Sequence, residues 1–192
     1  MKKLLLSAVI AVFGLTGLKA QSTGLEGEAF LGLPMGDASD GASLNLGINL
    51  AYYWDVAEGF KVGALAGFDH WISKKVDGEK GKDISYLPIA ATAKYSFDQF
   101  YVGLDLGFAL GLTSEKESFE VYGYSFSAET KSKGGFLFRP RFGYSTSSFD
   151  IFAFYKGMSD KVEATINDSD GNESFSETIS MGSLGVGFTY KF

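Results

Sequence analysis

From Ser43 to Trp54 the chain alternates without a break: Leu44, Leu46, Ile48, Leu50, Tyr52 and Trp54 fall on one parity, and Ser43, Asn45, Gly47, Asn49, Ala51 and Tyr53 on the other. Only an extended chain sends alternate side chains to opposite faces, so this stretch is a strand with one apolar face. The pattern returns at the end, where Leu184, Val186, Phe188, Tyr190 and Phe192 alternate with Ser183, Gly185, Gly187, Thr189 and Lys191. Composition agrees: 18 Phe, 10 Tyr and 25 Gly against 3 Pro favour strands whose backbones approach closely, and 192 residues fit one domain.

Reading the remaining chain the same way places strands near 24–33, 43–54, 60–72, 84–97, 100–112, 135–145, 149–158 and 181–192. The connections alternate in length, with short turns at 55–59, 98–99 and 146–148 and long links at 34–42, 73–83, 113–134 and 159–180. That rhythm belongs to an all-β, up-and-down antiparallel transmembrane β-barrel of about eight strands, with short periplasmic turns and long extracellular loops. Two of the long links look ordered. Val162, Ala164 and Ile166 enter, and Phe175, Glu177 and Ile179 leave, a polar turn at 167–172, and 119–127 suggests a second extension, so ten strands fit the same sequence. Pro88 and Pro140 fall inside strands that have no free edge, and local bulges are expected at both.

Residues Met1 to Ala20 have a basic start (Lys2, Lys3), an apolar run from Leu4 to Leu18 and a small residue at Ala20, the pattern of a cleaved export signal. The domain division is therefore 1–20 signal peptide and 21–192 barrel. Formal net charge is −6, and the leader holds Lys2, Lys3 and Lys19 without an acid, so the exported chain is more acidic still and a poor ligand for nucleic acid. With no cysteine, disulfides, thiolate nucleophiles and a lipidated N-terminal cysteine are excluded.

A soluble barrel with an apolar ligand cavity would show the same alternation turned inside out. The polar parity decides between them. It collects Glu26, Glu28, Lys61, Asp69, Lys94, Asp105, Arg139, Arg141, Asp150, Lys156 and Lys191 among many glycines, a set suited to a narrow lumen with lipid outside. The set is nearly balanced in sign, which suits a plug better than an ion-selective pore. Arg139 and Arg141 are expected to pair across the lumen with members of Glu26, Glu28, Asp105 and Asp150. On the apolar parity, Trp54, Phe60, Tyr95, Phe97, Phe100, Tyr144, Phe149, Tyr190 and Phe192 gather at the strand ends next to the short turns, as a periplasmic aromatic girdle would.

The leader, the strand rhythm and the ending Gly185-Val186-Gly187-Phe188-Thr189-Tyr190-Lys191-Phe192 resemble the small bacterial outer-membrane β-barrel proteins, the family that includes OmpX and the membrane domain of OmpA. The resemblance implies a Gram-negative cell envelope, residence in the outer membrane, the lipid bilayer as partner, and Phe188, Tyr190 and Phe192 as the signal read by the barrel-assembly machinery. It implies no cofactor. The expected role is non-enzymatic, structural or surface-interacting; the alternatives are a narrow porin-like pore for small solutes and an outer-membrane enzyme acting on lipid or peptide.

Chemistry is sparse. The one histidine, His70, has Asp69 beside it and Ser73 three residues on, but neighbours in a strand face opposite sides, and it reads as an interfacial histidine rather than a general base. Asp168, Asp170 and Glu173 lack the spacing of a calcium loop and read as an acidic turn; no metal site is expected.

Overall fold

The computed structural model describes residues 24–76, 79–121, 124–168 and 171–192; the segment 1–20 expected to be a leader lies outside them. Ten strands form one antiparallel sheet: β1 (Leu25–Met35), β2 (Ala42–Ala57), β3 (Phe60–Ser73), β6 (Ile84–Phe97), β7 (Phe100–Gly111), β8 (Ser114–Val121), β9 (Tyr124–Ser132), β10 (Gly134–Ser145), β11 (Phe149–Asp168) and β12 (Gly171–Lys191). A one-turn helix α1 (Ala38–Gly41) joins β1 to β2, and a small ribbon, β4 (Lys75–Val76) with β5 (Glu79–Lys80), stands between β3 and β6.

Eight strands close a ring in the order β1, β2, β3, β6, β7, β10, β11, β12, with β12 returning to β1. The residue pairs followed once around run Leu25, Tyr52, Ala64, Ala91, Leu106, Phe138, Gly157, Gly182 and back to β1 at Met35, ten residues further along. A stagger of this size over eight strands tilts them about 40° from the barrel axis and sets a backbone radius of about 8 Å, too narrow for anything but side chains.

Turn chemistry explains one end of the barrel. Gly59 (φ 69°) and Asp98 (φ 52°) supply the left-handed residues that two-residue hairpin turns need. The other end carries the extensions. β11 and β12 stay paired from Phe149–Tyr190 up to Asp168–Gly171, so they run well past the ring, and the turn at 169–170 lies outside the described residues. β8 and β9 continue the β7–β10 hairpin, and β9 pairs with the upper half of β11, from Val162–Ser132 to Asn167–Ser127, with β8 outside it. Eight strands make the barrel, and the extra pair joins only the protruding sheet.

Gly134 (φ 76°) sits where the hairpin is deflected. Gly134 pairs with Leu110, and further up Lys131 pairs with Ser114, so one extra residue has entered the β7–β8 side. The bulges expected at Pro88 and Pro140 are absent. Pairing with β3 lapses only between Ala66–Ile89 and Asp69–Tyr86, and with β11 only between Phe138–Gly157 and Arg141–Phe154, with the same register on both sides of each gap. On their other flanks Pro88 pairs with Ala109 and Pro140 with Leu104. A residue in an antiparallel strand points its amide at one neighbour only, so proline weakens one ladder and leaves the other intact. The register shifts along the β2–β3 pairing lie at the two ends of β2, between Ala42 and Leu44 and between Asp55 and Ala57.

Candidate functional site

The two parities separate as inside and outside. Glu26, Glu28, Asp69, Lys94, Asp105, Arg139, Arg141, Asp150 and Lys156 are all buried, while Leu33, Trp54, Phe108 and Leu184 on the other parity are more than half exposed. The charged side chains stack in tiers along the lumen.

At the bottom, Lys94 pairs with Asp150 and, at 3.2 Å, with Glu26, while Lys191 closes the mouth against Asp150 at 2.7 Å. The Lys94 ammonium also lies 4.5 Å from the Tyr101 ring centre. Above it is a quartet. Arg139 reaches Glu28 at 2.5 Å across the lumen and Asp105 at 2.7 Å on the adjoining strand; Arg141 reaches the same two carboxylates at 2.9 and 3.0 Å. Asn49 donates to Glu28 at 2.6 Å and Arg141 donates to the Tyr53 hydroxyl at 2.9 Å. The planar fork of each guanidinium is what lets two carboxylates be shared by two arginines.

In the next tier, Lys156 donates to Asp69 at 2.7 Å and to Asn45 at 2.8 Å, and lies 4.1 Å from the Phe30 ring centre. The uppermost tier holds Asp160, which the sequence reading missed. Its carboxylate accepts from Tyr86 at 2.8 Å, from Ser132 at 2.8 Å and from the Gly134 N–H at 2.7 Å, so it fastens β11 to β6 and to the point where β9 passes into β10.

Lys61 departs from the expected interior set. It lies at the rim two residues after a turn and pairs with Asp55 at 3.2 Å, where water reaches both. Aromatic rings fill the space the charges leave: Phe30, Trp71, Tyr101, Phe152 and Phe154 are buried inside. A void of about 10 Å³, room for about one water, lies in the lumen beside Arg139 and Lys156.

The girdle residues Trp54, Phe60, Tyr95, Phe97, Phe100, Tyr144, Phe149 and Tyr190 all face outward at the short-turn end. They meet as cross-strand neighbours: Phe60 pairs with Tyr95, Phe97 with Phe100, Phe100 with Tyr144, and Phe149 with Tyr190. Phe188 faces outward beside Phe149 at 5.8 Å, and Tyr190 packs edge-on to Phe192 at 5.1 Å. The Phe192 N–H donates to the Leu25 carbonyl, so the terminal aromatics sit on the strand that closes the ring.

His70 faces outward near the upper rim, on the parity of Leu46 with which it pairs. Neither Asp69, which points into the lumen, nor Ser73 is its partner. Its Nδ1 lies 2.9 Å from Ser85 Oγ on β6, and its Nε2 lies 3.8 Å from an Asp83 carboxylate oxygen. Those partners come from register across β3 and β6, where His70 pairs directly with Ser85.

A closed ring whose outside is apolar and aromatic-belted, and whose buried lysines and arginines meet carboxylates inside, defines a transmembrane β-barrel. No protein-family model matches the sequence, and no curated protein does either. Among solved structures the chain is similar to Neisserial surface protein A, at 17% identity over 90% of this chain and 100% of that one, with a TM-score of 0.50. It is also similar, at a TM-score of 0.43 each, to the outer-membrane protease OmpT from Escherichia coli (11% identity, 88% of this chain, 94% of that one) and to the outer-membrane protein AlkL (15% identity, 90% and 92%). The fold is that of the small outer-membrane β-barrel proteins.

Proposed function

We propose that the exported chain is an integral outer-membrane protein whose plugged barrel is an anchor, and whose protruding sheet of β12, β11, β9 and β8 is the part presented to the surroundings. The observation that carries this reading is the pairing of charge in the lumen. Four buried cations (Lys94, Arg139, Arg141, Lys156) meet carboxylates on facing or adjoining strands, and the void beside Arg139 and Lys156 is about 10 Å³. A conduit for solutes needs continuous water where these ion pairs stand, which weighs against the porin-like alternative.

In this reading the short turns face the periplasm, the leader 1–20 is removed on export, and Phe188, Tyr190 and Phe192 are read by the barrel-assembly machinery. The interaction role rests on the sheet edges. Beyond the Met35–Gly182 pair β12 has no β1 residue beside it, and its residues Ser174 to Ser180 are exposed, Phe175 at 60%. Such an edge can accept an added strand.

The test is to refold the mature chain in detergent, confirm the barrel by a gel-mobility difference between unheated and boiled samples, and insert it into planar bilayers. A heat-modifiable species without discrete conductance steps supports the anchor. Steady single-channel steps from the same species would replace it with the pore.

A further inference from the structure

The geometry points to a second activity on the outer wall: Ser85, His70 and Asp83 form a nucleophile, base and acid set that cleaves long-chain acyl esters of lipids in the outer leaflet. This inference rests on the membrane placement proposed above and goes beyond the anchoring role.

The three side chains come from two neighbouring strands and the link between them. His70 and Ser85 are register partners on β3 and β6, and Asp83 stands just before β6 begins. Ser85 Oγ is 2.9 Å from His70 Nδ1. For Nδ1 to take the serine proton the ring must carry its own proton on Nε2, the nitrogen that faces Asp83 at 3.8 Å. Asp83 is held in turn, because its Oδ1 accepts the Ser73 N–H at 2.9 Å. Phe68 stacks on the imidazole with planes 13° apart and fixes its orientation. The order serine, imidazole, carboxylate is the geometric signature of an activated hydroxyl, and the carboxylate contact is of the loose kind that tightens when substrate excludes water.

Location selects the substrate. The set faces away from the lumen, between apolar wall below (Leu46, Phe68 and Leu87) and lysines above (Lys74 and Lys82). His70 and Asp83 side chains are each 29% exposed, so the set is open to the medium around the barrel. Acyl ester bonds of membrane lipids lie at this boundary between hydrocarbon and headgroup.

The step balances without a cofactor. Ser85 Oγ attacks the ester carbonyl as His70 Nδ1 takes its proton; the ester C–O bond breaks and the alcohol leaves with that proton. Water then attacks the acyl-serine, His70 returns a proton to Oγ, and a fatty acid is released. The Ser85 N–H is donated to Thr113 Oγ1 at 3.0 Å, so it does not serve a developing oxyanion, and turnover is correspondingly slow.

The test uses the refolded, heat-modifiable chain in liposomes, so that a failure of the barrel reading is seen separately on the gel. One arm holds phosphatidylethanolamine and the other purified lipid A, and released fatty acid is measured in each. Release in either arm that falls by roughly 10³-fold in Ser85→Ala supports the proposal and identifies the lipid source. Asp83 is a positioning residue: Asp83→Asn lowers kcat with KM unchanged, and Asp83→Glu restores part of the loss. No release in either arm from a folded barrel, or release that Ser85→Ala leaves unchanged, overturns it.

Discussion

Glu28→Gln removes one of the two carboxylates that both lumen arginines share. Glu28 takes bonds from Arg139 at 2.5 and 3.3 Å, from Arg141 at 2.9 Å and from Asn49 at 2.6 Å. With Asp105 it makes the two-arginine cluster neutral, so the substitution leaves one uncompensated positive charge in a space that water does not fill. Each lost pairing at about 4 Å is worth roughly 4 kcal/mol at an effective dielectric near 20. Relief of the Glu28 desolvation cost offsets part of the total, and the net loss is about 3–5 kcal/mol, as for other broken buried pairs. The folded-to-unfolded ratio then falls about 10²–10⁴-fold. The assay is urea unfolding in lipid vesicles, followed by the fluorescence of Trp54 and Trp71, the chain's two tryptophans. Adding Arg139→Gln restores neutrality, because Arg141 and Asp105 still face each other at 3.0 Å. The double variant should therefore be more stable than the sum of the two single losses by about 1–3 kcal/mol. A single loss below about 1 kcal/mol, or strict additivity, would refute the idea that mutual neutralisation holds the lumen closed.

Two further perturbations address other parts of the molecule. A methyl group at Gly187 would lie 2.2 Å from the tip of the Phe152 ring, so Gly187→Ala should lower the urea midpoint by an amount equivalent to about 1–3 kcal/mol, and Phe152→Leu in the same chain should recover most of it; equal midpoints would show that the ring moves freely. Hydrogen bonds from Lys133 and Lys161 hold the Glu163 carboxyl below its usual range, on the part of β11 beyond the ring. A depressed folded value means this tie is present above the ordinary glutamate range and is lost as pH falls through the folded value. Pepsin cleavage between 112 and 133 should rise at the acid end in the native chain, and Glu163→Gln should raise cleavage at higher pH and flatten that dependence.

The strands were legible where one face was lipid-facing and the other small or polar, as in β2 and β12. Elsewhere the signal was weaker or absent. Along β11, phenylalanine occurs on the inner parity at Phe152 and Phe154, so alternation blurs; the compensating signal was on the neighbouring strand, where Gly185 and Gly187 leave room for those rings. Asp160 shares the inner parity of Asp150 and Lys156, yet it lies past the point where a membrane-length strand was expected to stop. The partners of His70 were not legible from adjacency, because they depend on the stagger between β3 and β6. Arg139 and Arg141 were legible as a pair since both fall on the inner parity of one strand, but that Glu28 serves both depends on a contact across the lumen.

The seam between β1 and β12 has a consequence for time rather than strength. Every other junction joins ring strands with no further ring strand between them along the chain, while this one joins Glu26 to Lys191. Local hairpins can zip as they emerge, but the seam must wait for the last strand and close the longest loop the chain offers. Until it does, both seam edges are bare, the charges of β1 have no partners across the lumen, and the half-built sheet is a target for proteases and for like molecules. A ring made this way commits only when β12 reaches β1.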